Sequence, residues 1–269
     1  MAITALHSAA TGLRALSTEI DVVANNLANA ETGAFKGSRV NFEDLFYQTL
    51  KQPGTVSTSG EVAPAGIYVG LGTRISNTQL DMSQGSMQST GNPLDLGIQG
   101  PGFFRVKVLD SVGDGTAYTR NGAFFINDKN ELVLGMGDGY KLVPPVTIPT
   151  GVTNITISQD GNITGLKPGA TAPTQIGQIQ ISQFVNPEGL NVLGGSLFQE
   201  TQASGPAIQS KPGDQGSGQL LQNFLEASNV DPVKELVNLI KTQRAFELNS
   251  QSIQTADQAL QTIANLRHG

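Results

Sequence analysis

Apolar residues along this chain follow one period near its two ends and another in between. From Ala2 to about Ala28, Leu6, Leu13, Ile20 and Leu27 fall seven apart, and Ala9, Leu16 and Val23 form a second row three residues after each of the first three. Together the rows make a continuous stripe on a helix of roughly 40 Å, at about 1.5 Å per residue. Gly12 is a mild blemish in that helix. A second long helix is predicted from Asp231 to about Leu266, with Asp231 as N-cap, Pro232 at the first helical position and Glu235 in the first turn. There Leu239, Phe246, Ile253 and Leu260 are again seven apart, flanked by Leu236, Ile240, Ala256 and Ile263.

The middle of the chain reads as β structure. Phe104, Val106 and Val108 alternate with Arg105 and Lys107, the pattern of a half-buried strand. Asn121-Gly122, flanked by residues 117–120 and 123–126, predicts a hairpin. Asp138-Gly139 and Asp160-Gly161 mark further turns; Thr153, Ile155 and Ile157 lead into the latter and Asn162-Ile163-Thr164 leads out. Ile179, Ile181 and Val185 suggest another strand, and the whole suggests a small antiparallel barrel-like sandwich. Two polar, Gly/Ser/Thr-rich stretches, Gln52 to Gly66 and Ser204 to Gly218, read as extended connectors. The expected class is α+β. Residues 1–43 hold the N-terminal helix and its turn, 44–96 an extended connector, 97–203 a central antiparallel all-β domain, 204–228 a return connector and 229–269 the C-terminal helix. The two long terminal helices are expected to form a coiled-coil base.

Charge changes how the helices are read. Only 14% of residues are charged, against roughly 25% in an average soluble domain. Arg14, Glu19 and Asp21 are the only formally charged residues of the first helix, whose other polar positions are mostly Ser, Thr and Asn. A solvated helix face normally carries Glu and Lys in i,i+4 pairs. Small uncharged polar residues all round point to a helix with neighbours on more than one side, and so to assembly. Periodicity by itself is equally satisfied by an ordinary intramolecular two-helix coiled coil.

Composition narrows the function classes. The net charge of −6, with no Lys/Arg cluster, excludes nucleic acid as a partner, because phosphate binding needs a concentrated basic face. Cysteine is absent, which removes disulfides, thiolate metal sites and Cys nucleophiles together. The first residues, Met1-Ala2-Ile3-Thr4-Ala5-Leu6-His7, lack the basic-then-apolar order of a secretory signal, and no run of about 18 apolar residues occurs, so no membrane insertion is expected. Export would need another route.

Candidate chemistry is sparse. His7 and His268 stand near the ends, outside any HExxH spacing, and no GxSxG occurs. The glycine-rich run from Gly135 to Gly139 has no helix pattern after it, as phosphate binding requires, and reads as a hairpin. Asp110 to Gly115 lacks the alternating acids and closing Glu of a calcium loop and reads as a solvated turn. Asn154-Ile155-Thr156 and Asn162-Ile163-Thr164 match the glycosylation sequon as β-hairpin triplets do by chance. Glu43-Asp44 and Asp128 are a nominal acid/base set that nothing in the sequence places together, which keeps a glycan hydrolase only as an alternative. No catalytic, cofactor-binding or metal-ligating residue is assigned, no cofactor is expected, and the chain is read as a structural subunit rather than an enzyme.

The end of the first helix, Ala24-Asn25-Asn26-Leu27-Ala28-Asn29, followed by Thr32-Gly33-Ala34-Phe35-Lys36, resembles the N-terminal signature of the flagellar rod and hook axial proteins. That family places a Gly directly before the aromatic, where this chain has Ala34, with Gly33 one position earlier; if the turn needs a left-handed residue, its position is expected to have moved by one, to Gly33. The second helix is similar to the family's C-terminal motif. Ser228-Asn229-Val230-Asp231-Pro232 leads into Glu235-Leu236-Val237-Asn238-Leu239, followed by Gln243-Arg244-Ala245-Phe246-Glu247-Leu248-Asn249. Gly100-Pro101-Gly102-Phe103-Phe104 and Tyr118-Thr119-Arg120-Asn121-Gly122 resemble its central β-domain markers. The segment from Phe42 through Tyr47, Gln48, Thr49, Leu50, Gln52, Pro53 and Gly54 resembles an insertion of the family's distal rod branch.

The resemblance implies a helical homopolymer of the bacterial flagellum's basal body, a hollow distal rod spanning the periplasm and serving motility. It implies copies of itself, adjacent proximal rod and hook proteins, surrounding ring proteins and the flagellar export apparatus as partners, with type III export and no cleaved signal peptide. The residues it singles out for assembly are Leu6, Leu13, Ile20, Leu27, Asn25, Asn26 and Asn29 in the first motif. In the second they are Leu239, Gln243, Arg244, Phe246, Asn249, Ile253 and Leu260. A proximal rod or hook protein, or a stalk presenting a cell-wall-binding β domain, stands as the alternative.

Overall fold

The computed structural model describes residues 2–54, 64–109, 115–135, 137, 139–167, 172–214 and 216–268. The chain divides into two compact units, one made of Met1–Ala28, Ser38–Leu80 and Asp231–Gly269, the other of Asn29–Gly37 and Asp81–Val230. Two helices and a mostly antiparallel β region make it an α+β protein.

In the first unit α1 (Ala2–Ala28) lies against α2 (Pro232–His268). The Asp231 carboxylate starts α2 by accepting the N–H groups of Val233 at 2.9 Å and Lys234 at 3.3 Å. This satisfies two of the helix's orphan donors and sets negative charge at the positive end of its dipole. A Cβ on Gly12 would stand 3.2 Å from Nδ2 of Asn249. The glycine is therefore a close-approach residue between the helices rather than a flaw in α1.

Residues 38–51 and 67–80 are mostly strand, where drawn-out chain was expected for all but the first few. β1 (Ser38–Asp44), β2 (Tyr47–Lys51), β3 (Ile67–Gly70) and β4 (Thr73–Leu80) pair antiparallel as β1 with β4 and β2 with β3. The β1–β4 ladder is held by polar side chains directly opposite one another. The Arg39 guanidinium donates to Gln79 Oε1 at 2.8 Å, Asn41 Nδ2 to Asn77 Oδ1 at 2.8 Å, and Arg74 pairs with Glu43. Such cross-strand pairs stabilise a sheet without apolar alternation. The tip between β2 and β3, residues 55–63 of the expected connector, lies outside the described residues.

The second unit begins with β5 (Met87–Ser89), β6 (Leu96–Gln99), β7 (Phe103–Lys107), β8 (Thr116–Thr119), β9 (Phe124–Ile126), β10 (Leu132–Leu134) and β11 (Lys141–Leu142). It continues with β12 (Thr153–Ile157), β13 (Asn162–Leu166), β14 (Thr174–Gln178), β15 (Ile181–Gln183) and β16 (Asn191–Gly194). β17 (Leu197–Gln199), β18 (Ile208–Ser210), β19 (Gln219–Gln222) and β20 (Phe224–Glu226) complete it. The largest sheet runs β16-β17-β8-β7-β11-β10-β9, with β15 on β7 and β18 on β15; β12-β13-β14 form a smaller one, while β19 pairs with β6 and β20 with β5. The return stretch 204–218 is thus not only connector, since it supplies β18.

The core is where the alternation places it. Phe104, Val106 and Val108 are buried and Lys107 is exposed. Phe104 meets Phe124 edge-on at 5.1 Å, and Leu96, Ile98, Ile163 and Ile181 join the same cluster. Each such side chain contributes about 1.5–3 kcal/mol on full burial. Val185 ends beyond β15 and is exposed, unlike Ile179 and Ile181.

The predicted turns divide. Asp160-Gly161 joins β12 to β13, with Gly161 at φ +81° and its N–H donating to the Ser158 carbonyl at 2.9 Å. Residues 135–140 join antiparallel β10 and β11 as a hairpin would, although Met136 and Asp138 lie outside the described residues, as does Asp110–Asp114 of the loop between β7 and β8. Asn121-Gly122 is not a hairpin: β8 pairs with β7 and β17, not with β9. Residues 121–123 run beside β6 instead. The Leu96 N–H donates to the Gly122 carbonyl at 3.0 Å, and a Cβ on Gly122 would fall 1.7 Å from the Leu96 carbonyl oxygen. Gly122 serves close backbone approach, not a positive φ. At the turn after α1 the left-handed residue is Ala34, at φ 57° and fully buried, and not Gly33. Its N–H donates to the Glu226 carbonyl at 2.9 Å, while the conformation costs an L-residue about 1–2 kcal/mol.

Beside Ala34 lies a buried ionic cluster. Lys36 Nζ donates to Glu226 Oε1 at 2.6 Å and to the Ser83 carbonyl at 2.6 Å. Arg120 Nε donates to Glu226 Oε2 at 2.6 Å, its Nη1 to the Gly100 and Gly102 carbonyls and its Nη2 to that of Ile98. The Gly85 N–H adds a further donor to Glu226 Oε1 at 2.9 Å. Burial holds the Lys36 ammonium below the usual lysine range against the attraction of Glu226, and the Arg120 charge pushes the same way as burial. Replacing Glu226→Gln leaves two buried cations without a counter-charge, a loss of about 3–5 kcal/mol. Urea denaturation followed by Tyr fluorescence should show it, and a loss below about 1 kcal/mol would contradict a structural role for the cluster.

Candidate assembly surfaces

The two helix stripes are only partly covered. On α1, Ala15 and Val23 are buried, while Leu6, Leu13, Leu16, Ile20 and Leu27 keep part of their surface. On α2 the row Leu239, Phe246, Asn249, Ile253 and Leu260 is likewise half-buried, and Thr242 is the buried residue between its first two members. Leu236 and Ile240 do not flank that row under cover: they are 46% and 57% exposed. The side chain of Ile263 lies outside the described residues.

A second apolar stripe on α2 was not singled out from the sequence. Val233, Val237, Ile240 and Leu248 are exposed, Val233 by 70% and Leu248 by 64%. At about 3.6 residues per turn they lie on the face opposite Leu239, Phe246 and Ile253. Arg244 falls within this outer face and pairs with Glu247 at 2.8 Å, and Gln243 is also exposed. The signal was present in the sequence, as Val and Ile at i, i+4 and i+7, but the stronger seven-residue row masked it.

The asparagines of the first motif separate. Asn26 is buried and holds β1 to α1: its Nδ2 donates to the Ser38 carbonyl at 2.8 Å, and its Oδ1 accepts the Ser38 N–H at 2.9 Å. Asn25, next to it, is exposed. Asn29 belongs to the turn after the helix, where Thr32 donates its hydroxyl to Asn29 Oδ1 at 3.2 Å. His7 is a local brace, with Nδ1 3.1 Å from the Leu71 carbonyl. Gly72 follows, at φ +111°, and a Cβ there would meet Thr11 Oγ1 at 2.1 Å. The glycine therefore lets the chain pass directly against α1.

The rod-type segment is a β-ribbon exposed on β2 throughout. Tyr47, Gln48, Thr49 and Leu50 form most of β2, and Gln52, Pro53 and Gly54 follow it, Gly54 at φ +83°. Phe46 is 89% exposed, and Tyr47, Leu50, Ile67 and Tyr68 are each more than half exposed. A two-stranded ribbon has little apolar core of its own, and five large apolar side chains on or beside this one stay open to solvent. A groove between α1 and this ribbon is lined by Thr4, Ala5 and Ser8 on one side and Gln48, Leu50, Val69 and Gly70 on the other.

Among the described residues no group of three or more His, Cys, Asp or Glu is placed to hold a metal, and no helix is long and apolar enough to cross a membrane. Glu43 is engaged by Arg74 on β4, while Asp128 belongs to the other unit. The buried Asn26 and the exposed Gln243 make distinct expectations. Asn26→Ala strands both the N–H and the carbonyl of Ser38 and should cost about 2–3 kcal/mol in the monomer. Gln243→Ala, on an exposed face, should stay within about 0.5 kcal/mol. Denaturation midpoints of the two variants below the assembly concentration check this.

Three family models match in chain order: "Flagella basal body rod protein" over residues 6–36, "Flagellar hook protein FlgE/F/G D1 domain" over 97–165, and "Flagellar basal body rod FlgEFG protein C-terminal" over 221–266. The flagellar basal-body rod protein FlgG of Buchnera aphidicola subsp. Schizaphis graminum is 44% identical over 256 residues, covering 95% of this chain and 96% of the relative. FlgG of Caulobacter vibrioides is 44% identical over 264 residues, covering 98% and 99%. FlgG of Bacillus subtilis is 38% identical over 273 residues, covering 97% and 98%. With that likeness running through both helices and the β region, the chain belongs to the flagellar basal-body rod protein family.

Proposed function

We propose that this chain is a structural subunit of the distal rod, which polymerises helically with copies of itself into a rigid hollow shaft that transmits torque across the periplasm. The observation that carries the reading is the apolar surface left open on α2: a half-covered row at Leu239, Phe246, Ile253 and Leu260, and an exposed one at Val233, Val237, Ile240 and Leu248. A monomer in water gains nothing from either, whereas stacked copies bury both. In this reading α1 and α2 form the coiled-coil base of each subunit. Leu6, Leu13, Ile20 and Leu27 complete their burial against neighbouring copies, and Asn25, Gln243 and Arg244 supply polar contacts at the rim.

The ribbon from Tyr47 to Gly54 and its partner strand wedge between neighbouring subunits and hold the shaft straight. Proximal rod and hook proteins continue the same stacking above and below, ring proteins surround it, and the flagellar export apparatus delivers the chain. The likeness to rod proteins favours a scaffold over a catalyst.

Negative-stain microscopy and sedimentation across concentration test the reading on the full chain. Ile240→Glu and Val237→Glu should abolish tubes while leaving the monomer's stability within about 0.5 kcal/mol, as expected at exposed sites. Tubes that persist in both variants would sink the role of the outer stripe. Deleting residues 46–68 should give curved or flexible assemblies, and straight ones would refute the wedge.

A further inference from the structure

The sequence holds a single Asn-Gly step, Asn121-Gly122, and the structure places it in a buried, tightly packed stretch of backbone. Asparagine followed by glycine is the dipeptide most prone to cyclise, because no side chain shields the glycine nitrogen. Every other asparagine here precedes a residue with a side chain, among them Asn154-Ile155 and Asn162-Ile163, where β-branching obstructs the same attack.

We propose that Asn121-Gly122 is a spontaneous modification site, open in the unfolded chain and closed by folding, whose conversion to isoaspartate prevents the β unit from completing its core. In the reaction the Gly122 amide nitrogen attacks Asn121 Cγ. A C–N bond forms, the Cγ–Nδ2 bond breaks, and Nδ2 leaves as ammonia with the Gly122 amide proton. Water then opens the succinimide at one of its two carbonyls, giving aspartate or isoaspartate at position 121. No oxidant or enzyme is needed.

The fold opposes each step. Asn121 is 7% exposed, its Oδ1 accepts the Ala123 N–H at 2.9 Å, and its own N–H donates to Thr119 Oγ1 at 3.0 Å. Gly122 has no room to swing, since an added Cβ would lie 1.7 Å from the Leu96 carbonyl oxygen and 3.1 Å from the Phe104 ring. Its carbonyl is held by the Leu96 N–H at 3.0 Å. The same packing opposes both products, isoaspartate more than aspartate. Isoaspartate inserts an extra methylene into the main chain directly after Arg120, whose guanidinium must reach Glu226 and the carbonyls of Ile98, Gly100 and Gly102. Aspartate keeps the chain length but places a charge in a site that is nearly closed to water.

Peptide mapping by mass spectrometry, on the full chain held at mildly alkaline pH in buffer or in guanidinium chloride, tests this. Residue 121 should convert in guanidinium and do so on the order of a hundredfold or more slowly in the native protein, since reaction awaits opening. Diluted from denaturant, isoaspartyl chains should fail to recover the native near-ultraviolet spectrum that unconverted chains regain. An Asn121→Asp variant separates charge from chain length: it should fold with a lowered denaturation midpoint. Equal conversion rates with and without denaturant would overturn the proposal, as would isoaspartyl chains that refold to the unmodified midpoint.

Discussion

One carboxylate organises the β unit. Glu226 sits fully buried between two cations, Lys36 and Arg120, contributed by chain segments far away in sequence; Lys36 and Glu226 are 190 positions apart. A buried charge is tolerable only when its hydrogen bonds are complete, and here the completion uses the backbone itself. The carbonyls of Ile98, Gly100 and Gly102 take the Arg120 donors, that of Ser83 takes a Lys36 donor, and the Gly85 N–H meets the carboxylate. Apolar packing could join these segments in several registers. A set of directed charged contacts admits one, which also explains why the neighbouring turn holds Ala34 in a left-handed conformation: the Ala34 N–H must meet the Glu226 carbonyl.

Asn229 extends the same stitching. Its Oδ1 accepts the Gly37 N–H at 2.8 Å, its Nδ2 donates to the Asp81 carbonyl at 2.8 Å, and its N–H donates to the Phe35 carbonyl at 3.3 Å. The residues that leave α1, those that begin the β unit and those that precede α2 are thus fixed to one another within that unit. The motif residues Lys36, Arg120 and Asn229 are explained by this role, as internal ties rather than contacts to a ligand.

Much was legible in the sequence where one physical signal dominated. The Asp231 cap, the long helices, the inward row of Phe104, Val106 and Val108, and the Asp160-Gly161 turn each follow from a local pattern that tertiary structure does not oppose. The misses share a cause. β1 and β4 are joined by Arg39–Gln79 and Glu43–Arg74 pairs, which carry no apolar period. Gly122 looks like a turn glycine, yet its requirement comes from Leu96 across a gap in sequence. Glu226 reads as an ordinary polar residue of a short strand because nothing local reveals its distant partners. Among the candidate assembly residues, the half-covered leucine rows were readable from spacing, whereas the internal role of Asn26 and the outer stripe of α2 needed three dimensions.

The ionic cluster also sets an order of events. A chain that emerges with its N-terminus first presents Lys36 and Arg120 as two unneutralised cations, and the carboxylate that accepts both arrives only after the greater part of the sequence. Contacts of such long sequence separation give the β unit a high contact order and a large loop-closure entropy. Premature collapse of the leading segments would bury charge without compensation. The cluster can therefore close only once the strand that carries Glu226 is present.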